Sequence, residues 1–161
     1  MAHELRTVLW FDGRMDEAAS FYVDTFPDTR IERKTSSPSD WPNGKAGDTI
    51  TVDMTVCGRS LQLLNGGPDV IPNDAVSLMI ETEDQDETDR LWTAILDAGG
   101  QEVMCGWIKD PYGFSWQITP RRLNELVNDD DPQVARRAFE AMMQMVKLDI
   151  ATIENVVAGK R

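Results

Sequence analysis

The chain has 161 residues, 41% of them apolar, enough for one substantial core or two fused halves and too few for an additional large cofactor domain. Its 28 acidic residues outnumber 16 basic ones and leave a net charge of −12, which repels phosphate backbones and anionic headgroups and excludes nucleic acid and membrane surfaces as expected partners. No apolar run approaches the roughly 20 residues of a bilayer span, and "MAHELRT" lacks the basic lead of a secretory signal, so a soluble, cytoplasmic protein is expected.

From Arg6 to Phe11, "RTVLWF" is β-rich and stops at Asp12-Gly13. Ala18, Ala19, Tyr22, Val23 and Phe26 then recur at helical spacing behind Asp16 and Glu17, whose charges suit a helix N-terminus, and Pro27 ends the helix. "TRIERKT" alternates as a strand, and the Pro, Gly and Ser content of Ser36 to Asp48 marks an exposed loop. In "TITVDMTV", Thr49, Thr51, Asp53 and Thr55 alternate with Ile50, Val52, Met54 and Val56, as in a half-buried strand. Gly58-Arg59 turns that strand into "SLQLLN". Residues 5–65 therefore read β-α-β-β-β.

A connection rich in Gly and Pro, Asn65 to Asp74, leads to a second half, residues 75–120. "AVSLMIET" is its first strand, and Leu91, Ile95 and Ala98 share a helix face with Trp92 before the Gly99-Gly100 cap. "QEVMCGWIKD" and "GFSWQIT" follow as strands around a turn at Pro111 and Gly113. An ungapped alignment of residues 7–22 on 77–92, a shift of 77 − 7 = 70, places Thr7 on Ser77, Asp16-Glu17 on Asp86-Glu87, and Phe21-Tyr22 on Leu91-Trp92. Past Pro120 the pattern is helical: a short turn at "RRLNELVN", a helix capped by Asp131 with Pro132 at its first position and running to about Met145, and a last one from Asp149 to Gly159. Val134, Ala138, Met142 and Met145 line one side, suited to packing or to a dimer contact. The fold class is α+β: residues 1–120 carry two tandem β-α-β-β-β modules, and residues 121–161 form a helical extension packing on that domain or on a dimer partner.

Cys57 and Cys105 are too few for a disulfide framework or a thiolate zinc site, and each is expected to be reduced, small and buried. His3 is the only histidine, which leaves little room for His-based catalysis. A nucleophilic Cys105 needs a nearby cation, and Lys109 lies some distance along the strand. Glu81 and Glu83 read as solvated surface carboxylates, with a general base at a pocket rim as the alternative.

Together, "LWFDGRMDEAASFY", "LLNGGP", "EDQDETDRLW" and "CGWIKDPYGFSWQITP" closely resemble the PhnB-like, or 3-demethylubiquinone 3-methyltransferase-like, family of the vicinal oxygen chelate superfamily. That superfamily also holds glyoxalase I, extradiol dioxygenases and the bleomycin and fosfomycin resistance proteins. The resemblance implies a glyoxalase-like fold of cupped mixed sheets around a small-molecule pocket, and a homodimer. It also implies that the metal-ligand positions of the superfamily's enzymes fall on Thr7, Gln62, Ser77 and Gln117. Two hydroxyls and two amides are weak neutral donors for a dication, so no divalent metal is expected at these positions.

Strand alternation adds Leu9 and Phe11 to the face of Thr7, Leu64 to that of Gln62, Met79 to that of Ser77, and Ser115 to that of Gln117. Trp10, Ile80 and Trp116 then face the helices, and Cys105 with Trp107 forms a wall. Gln62 and Gln117 either satisfy buried groups or contact a ligand. "NGGP" follows a hairpin strand and opens no helix, so it is no S-adenosylmethionine loop, and no cofactor is expected. The expected function is small-molecule binding in the cup. The alternatives are an enzyme with a divergent or unplaced metal site, and a scaffold whose cup is filled by its own side chains.

Overall fold

In the first half, alternating apolar residues build one sheet around one helix: β1 (Thr7–Phe11), α1 (Met15–Thr25), β2 (Arg30–Ser36), β3 (Thr49–Val56) and β4 (Arg59–Asn65). This computed structural model describes residues 5–160, so His3 lies outside the described residues. The chain divides into two units, one ending at Pro72 and the other beginning at Asn73. The first sheet has the order β1-β4-β3-β2, with β1 parallel to β4 and the other pairs antiparallel. Leu9, Phe11, Val52, Met54, Leu61 and Leu63 are buried on the face that α1 covers with Met15, Ala18, Ala19 and Tyr22.

Two turns explain their glycines. Cys57 (φ 47) and Gly58 (φ 73) are the central residues between the paired Val56 and Arg59, the double positive φ that a two-residue type I′ hairpin requires. The turn expected at Gly58-Arg59 therefore sits one residue earlier. In "NGGP", the N–H groups of Gly66 and Gly67 both donate to the Phe11 carbonyl, at 2.9 and 3.1 Å. A Cβ on Gly66 would lie 2.2 Å from the Trp10 indole, whose Nε1 donates to the Gly67 carbonyl at 2.8 Å. The motif thus locks the end of β1 onto the end of β4.

The second unit repeats the plan with β5 (Ser77–Thr82), α2 (Gln85–Asp97), β6 (Gln101–Glu102), β7 (Trp107–Lys109) and β8 (Ser115–Pro120), in the sheet order β5-β8-β7-β6. Asp84 caps α2 by accepting from the Glu87 N–H. Leu91, Trp92 and Ile95 of α2 are buried, as are Ile80, Ile108, Trp116 and Ile118 of the sheet it packs on. The single strand expected over "QEVMCGWIKD" is broken into β6 and β7 by a left-handed turn at Cys105 (φ 62) and Gly106 (φ 79). At the β7–β8 turn, Asp110 is only 3% exposed and accepts from the Tyr112 N–H, the Phe114 N–H and the Trp116 indole.

The extension forms α3 (Arg121–Val127), α4 (Pro132–Met142) and α5 (Ile150–Val157) around Leu123, Leu126, Ala138, Ala141, Leu148 and Ile153. Asp131 and Asp149 cap α4 and α5, and α4 stops at Met142, short of the expected Met145. Of the predicted stripe, Ala138 is buried and Val134, Met142 and Met145 pack against the same cluster. The extension is stitched to its own chain. Cys105 N–H donates to Met145 O and Gly106 N–H to Val146 O, both at 2.8 Å, and the Gln85 side chain bonds Leu148 O and the Ile150 N–H. Among the described residues no helix is long and apolar enough to cross a membrane.

Candidate functional site

Residues opposed across a ladder share a face of the sheet. In the first unit Thr7 opposes Leu61, Val8 opposes Gln62, and Trp10 opposes Leu64. Thr7 and Leu9 therefore lie on the α1 side, Leu9 in the core and Thr7 exposed at the strand start, while Gln62 and Leu64 lie on the face away from the helix. The expectation that all four share a face is corrected, and so is the placement of Trp10 against the helix.

Connection length is the cause. Three residues, 12–14, join β1 to α1, whereas two, 83–84, join β5 to α2. Gly13 (φ 65) and Arg14 (φ 46) take up the extra residue in left-handed backbone. The helices keep the shift of 70, with Tyr22 and Trp92 both buried, but the strands match at 79 − 8 = 71, with Val8 on Met79 and Leu9 on Ile80. A slip of one residue in a strand exchanges its faces.

In the second unit the expected alternation holds. Ser77 opposes Ser115, and Met79 and Trp107 both oppose Gln117, so all five share the face away from α2, while Ile80 and Trp116 are buried on the other. Gln117 Nε2 lies 2.8 Å from Ser77 Oγ. Ser115 donates to Asp74 at 2.6 Å, Lys109 pairs with the same carboxylate at 3.0 Å, and the hydroxyl and ammonium together hold Asp74 below the usual carboxylate range. Cys105 leaves this face because it sits in the turn, with Sγ 3.7 Å from Met143 Sδ. Neither cysteine is in a disulfide, and both are half-buried, where full burial was expected. Glu81 and Glu83 are tied to Arg121, and Asn124 with Arg121 holds the Glu81 carboxyl below its usual range, which makes it a poor base near neutral pH.

The first sheet carries a constellation that sequence reasoning passed over. Asp53 opposes Gln62 on the face away from α1 and is only 8% exposed. Its Oδ1 accepts from Gln62 Nε2 at 2.6 Å and Arg6 at 3.0 Å, and its Oδ2 accepts from Arg33 Nη2 at 2.9 Å. The signal was present: Asp breaks a run of outward threonines in mid-strand, where it is a poor β former. The Gln62 amide, then the Arg33 and Arg6 guanidiniums, hold the carboxyl below the usual carboxylate range. A carboxyl depressed in the folded chain stabilises it fully above the unfolded-state value, and that share is lost as pH falls through the lower folded value. Asp53→Asn is expected to lower neutral-pH stability by about 2 kcal/mol and to flatten the acid limb of the stability profile in urea titrations. An unchanged acid limb would show that the ion pairs contribute nothing.

Two four-stranded mixed sheets, each with one helix on one face, define a glyoxalase-like fold of the vicinal oxygen chelate superfamily. The 3-demethylubiquinone-9 3-methyltransferase profile matches residues 3–119, and the chain belongs to this PhnB-like family. A similar solved structure is the putative 3-demethylubiquinone-9 3-methyltransferase, PhnB protein, from Bacillus cereus, at 26% identity over 73% of this chain and 99% of that one, TM-score 0.65. A Pseudomonas aeruginosa protein shares the fold at 19% identity over 74% and 98% of the two chains, TM-score 0.61. The fosfomycin resistance protein FosX of Listeria monocytogenes does so at 11% over 78% and 98%, TM-score 0.52. No protein of curated function matches the chain.

The superfamily's metal enzymes raise the question of fit. Of the four implied positions, Ser77 and Gln117 meet, Gln62 is spent on Asp53 through its Nε2, and Thr7 turns to the helix side. Among the described residues no group of three or more His, Cys, Asp or Glu is placed to hold a metal ion. Hydroxyl and amide donors without charge do not fit a transition-metal centre.

Proposed function

We propose that the chain is a small-molecule-binding protein that works as a homodimer, without a divalent metal and without S-adenosylmethionine. The observation that supports this reading is a repeated pair. Val8 beside Gln62 and Met79 beside Gln117 occupy matching places, and Val8 and Met79 are 50% and 57% exposed. Each amide donates its Nε2 to a neighbour in its own sheet, and among the described residues no group donates to either Oε1. Exposed apolar surface beside oriented acceptors is the composition of a small-molecule site. Leu64, Ser77, Trp107 and Ser115 lie on the same two faces; Thr7, Leu9 and Cys105 do not, and the binding role is assigned to the former group. The dimer is inferred from the family resemblance.

The test is a thermal-shift screen of metabolites on purified protein, run beside elemental analysis. A metabolite that raises the melting temperature without turnover is expected, and Gln117→Leu should weaken it by about 1 kcal/mol, or about fivefold, for one neutral hydrogen bond. Stoichiometric Zn, Mn, Fe or Ni, or turnover of the ligand, would overturn the reading in favour of an enzyme.

A further inference from the structure

From the row of side chains that Gln117 centres, we infer that the second sheet carries a slot for one uncharged aromatic ring bearing an N–H or O–H donor. The inference rests on the small-molecule-binding reading above and names the class of ligand.

The slot is a single row of the ladder on the face away from α2. Met79 on the edge strand β5 and Trp107 on β7 both stand opposite Gln117 on β8. The rows on either side of it are closed. On one side Asp74 takes the Ser115 hydroxyl and the Lys109 ammonium, and Ser115 is 3% exposed. On the other, Glu81 is held by Arg121 and Asn124 at 3.1 and 2.7 Å, and its ladder partner Thr119 is 7% exposed. Between these rows Met79 is exposed and Gln117 and Trp107 are half-buried. Ser115 and Thr119 lie four residues apart on β8, so the opening is about 13 Å long, room for one ring and its substituent.

The spacing of the strands selects a flat ligand. Neighbouring strands run about 4.8 Å apart, so a ring standing edge-on over Gln117 is about 5 Å from the Trp107 indole on one side and from the Met79 thioether on the other. These are the separations of a stacked aromatic pair and of a sulfur–ring contact. The indole is also not spent on the fold. Trp10, Trp92 and Trp116 donate their Nε1 to Gly67, Glu102 and Asp110, whereas among the described residues no acceptor holds that of Trp107.

The polar groups select a donor without charge. Gln117 commits Nε2 to Ser77 Oγ at 2.8 Å, which presents Oε1 as the acceptor at the base of the slot. Lys109 and Asp74 cancel at one end, and Arg121 with Glu81 and Glu83 leaves one negative charge at the other. Neither end attracts an anion, and every one of these carboxylates already has a cation.

Phenol, anisole, cyclohexanol and benzoate test these requirements one at a time, by NMR titration and thermal shift on the whole chain at neutral pH. Phenol is expected to bind, anisole about fivefold more weakly for want of the donated hydrogen bond, and cyclohexanol and benzoate more weakly still. Gln117→Leu should make phenol and anisole equal. Trp107→Leu should weaken phenol about fivefold and Trp107→Phe should restore most of the loss. Met79→Ala, at an exposed position where the fold loses little, should weaken phenol about threefold, and Val156→Ala, an equally apolar surface change on α5, should leave it unchanged. The inference is overturned if phenol does not bind the wild-type chain at millimolar concentration, or if cyclohexanol or benzoate binds as tightly. It is also overturned if the preference for phenol over anisole survives Gln117→Leu, or if Val156→Ala weakens phenol as much as Met79→Ala does. A Gln117-dependent aliphatic metabolite found alongside inert phenol removes the aromatic slot and leaves the proposed function standing; absence of both ligands removes both.

Discussion

Asp110→Ala is expected to lower the unfolding free energy by about 3 to 4 kcal/mol in urea denaturation, the largest single effect outside the apolar core. The carboxylate closes the "DPYG" turn by accepting two backbone N–H groups and the Trp116 indole. Trp116 is 1% exposed, so its N–H has no water to fall back on. Removing the acceptor breaks charge-assisted bonds to the buried indole and to two half-buried backbone N–H groups, and hydrogen bonds to a charged group are worth about 1.5 kcal/mol or more where they are buried. Asp110→Asn keeps one acceptor oxygen and is expected to cost about half as much. Gln117 follows Trp116 on β8, so the alanine variant should also weaken any ligand that depends on Gln117. A loss below about 1 kcal/mol for the alanine variant would mean that the turn holds without its carboxylate.

Gly106→Val is expected to cost about 3 kcal/mol and to loosen the C-terminal helices. The residue has φ 79, strained for any β-branched side chain, and its Cβ would meet Leu148 Cδ1 at 2.6 Å and the Ile118 carbonyl at 3.1 Å. Leu148 is buried in the helical cluster, so relief of the clash pushes α5 and its lead-in away from the turn. The Cys105 and Gly106 amides then lose the Met145 and Val146 carbonyls. Limited proteolysis should cut the variant in the segment between α4 and α5 while the wild type resists. Gly13→Ala, at a positive φ with open space around it, isolates the backbone share and should cost about 1 kcal/mol. Equal proteolytic resistance in Gly106→Val and the wild type would show that the helices are not held through this turn.

Most of the architecture was legible because the period of apolar residues changes cleanly between two and 3.6, and the caps at Asp131 and Asp149 and the Pro-Gly turns are local features. The order of elements from β1 to α5 needs nothing from distant contacts. The face of β1 does. "TVLWF" is apolar on both sides, so only the connection to α1 says which side meets the helix, and its extra residue breaks the repeat that served as the guide. The second sheet escaped this error because "SWQIT" sets polar against apolar without ambiguity. Arg33 was hidden for a different reason: a register shift between Ile31 and Arg33 decides which residues of β2 accompany Asp53, and pairing irregularities leave no mark within one strand. Cys105 was misplaced because left-handed backbone at a non-glycine residue is uncommon and carries no composition signal.

The stitching of the helical extension to the Cys105-Gly106 turn also sets an order of events on the ribosome. The first sheet has all its strands once residue 65 has emerged, so that half can close early in synthesis. The second sheet has all its strands at Pro120, yet two of its amides wait for carbonyls at 145 and 146 and its turn waits for Leu148. A nascent chain paused between those points carries one finished module and one with an open seam, and the interval in which the seam is exposed to chaperones is set by the speed of translating the last helices.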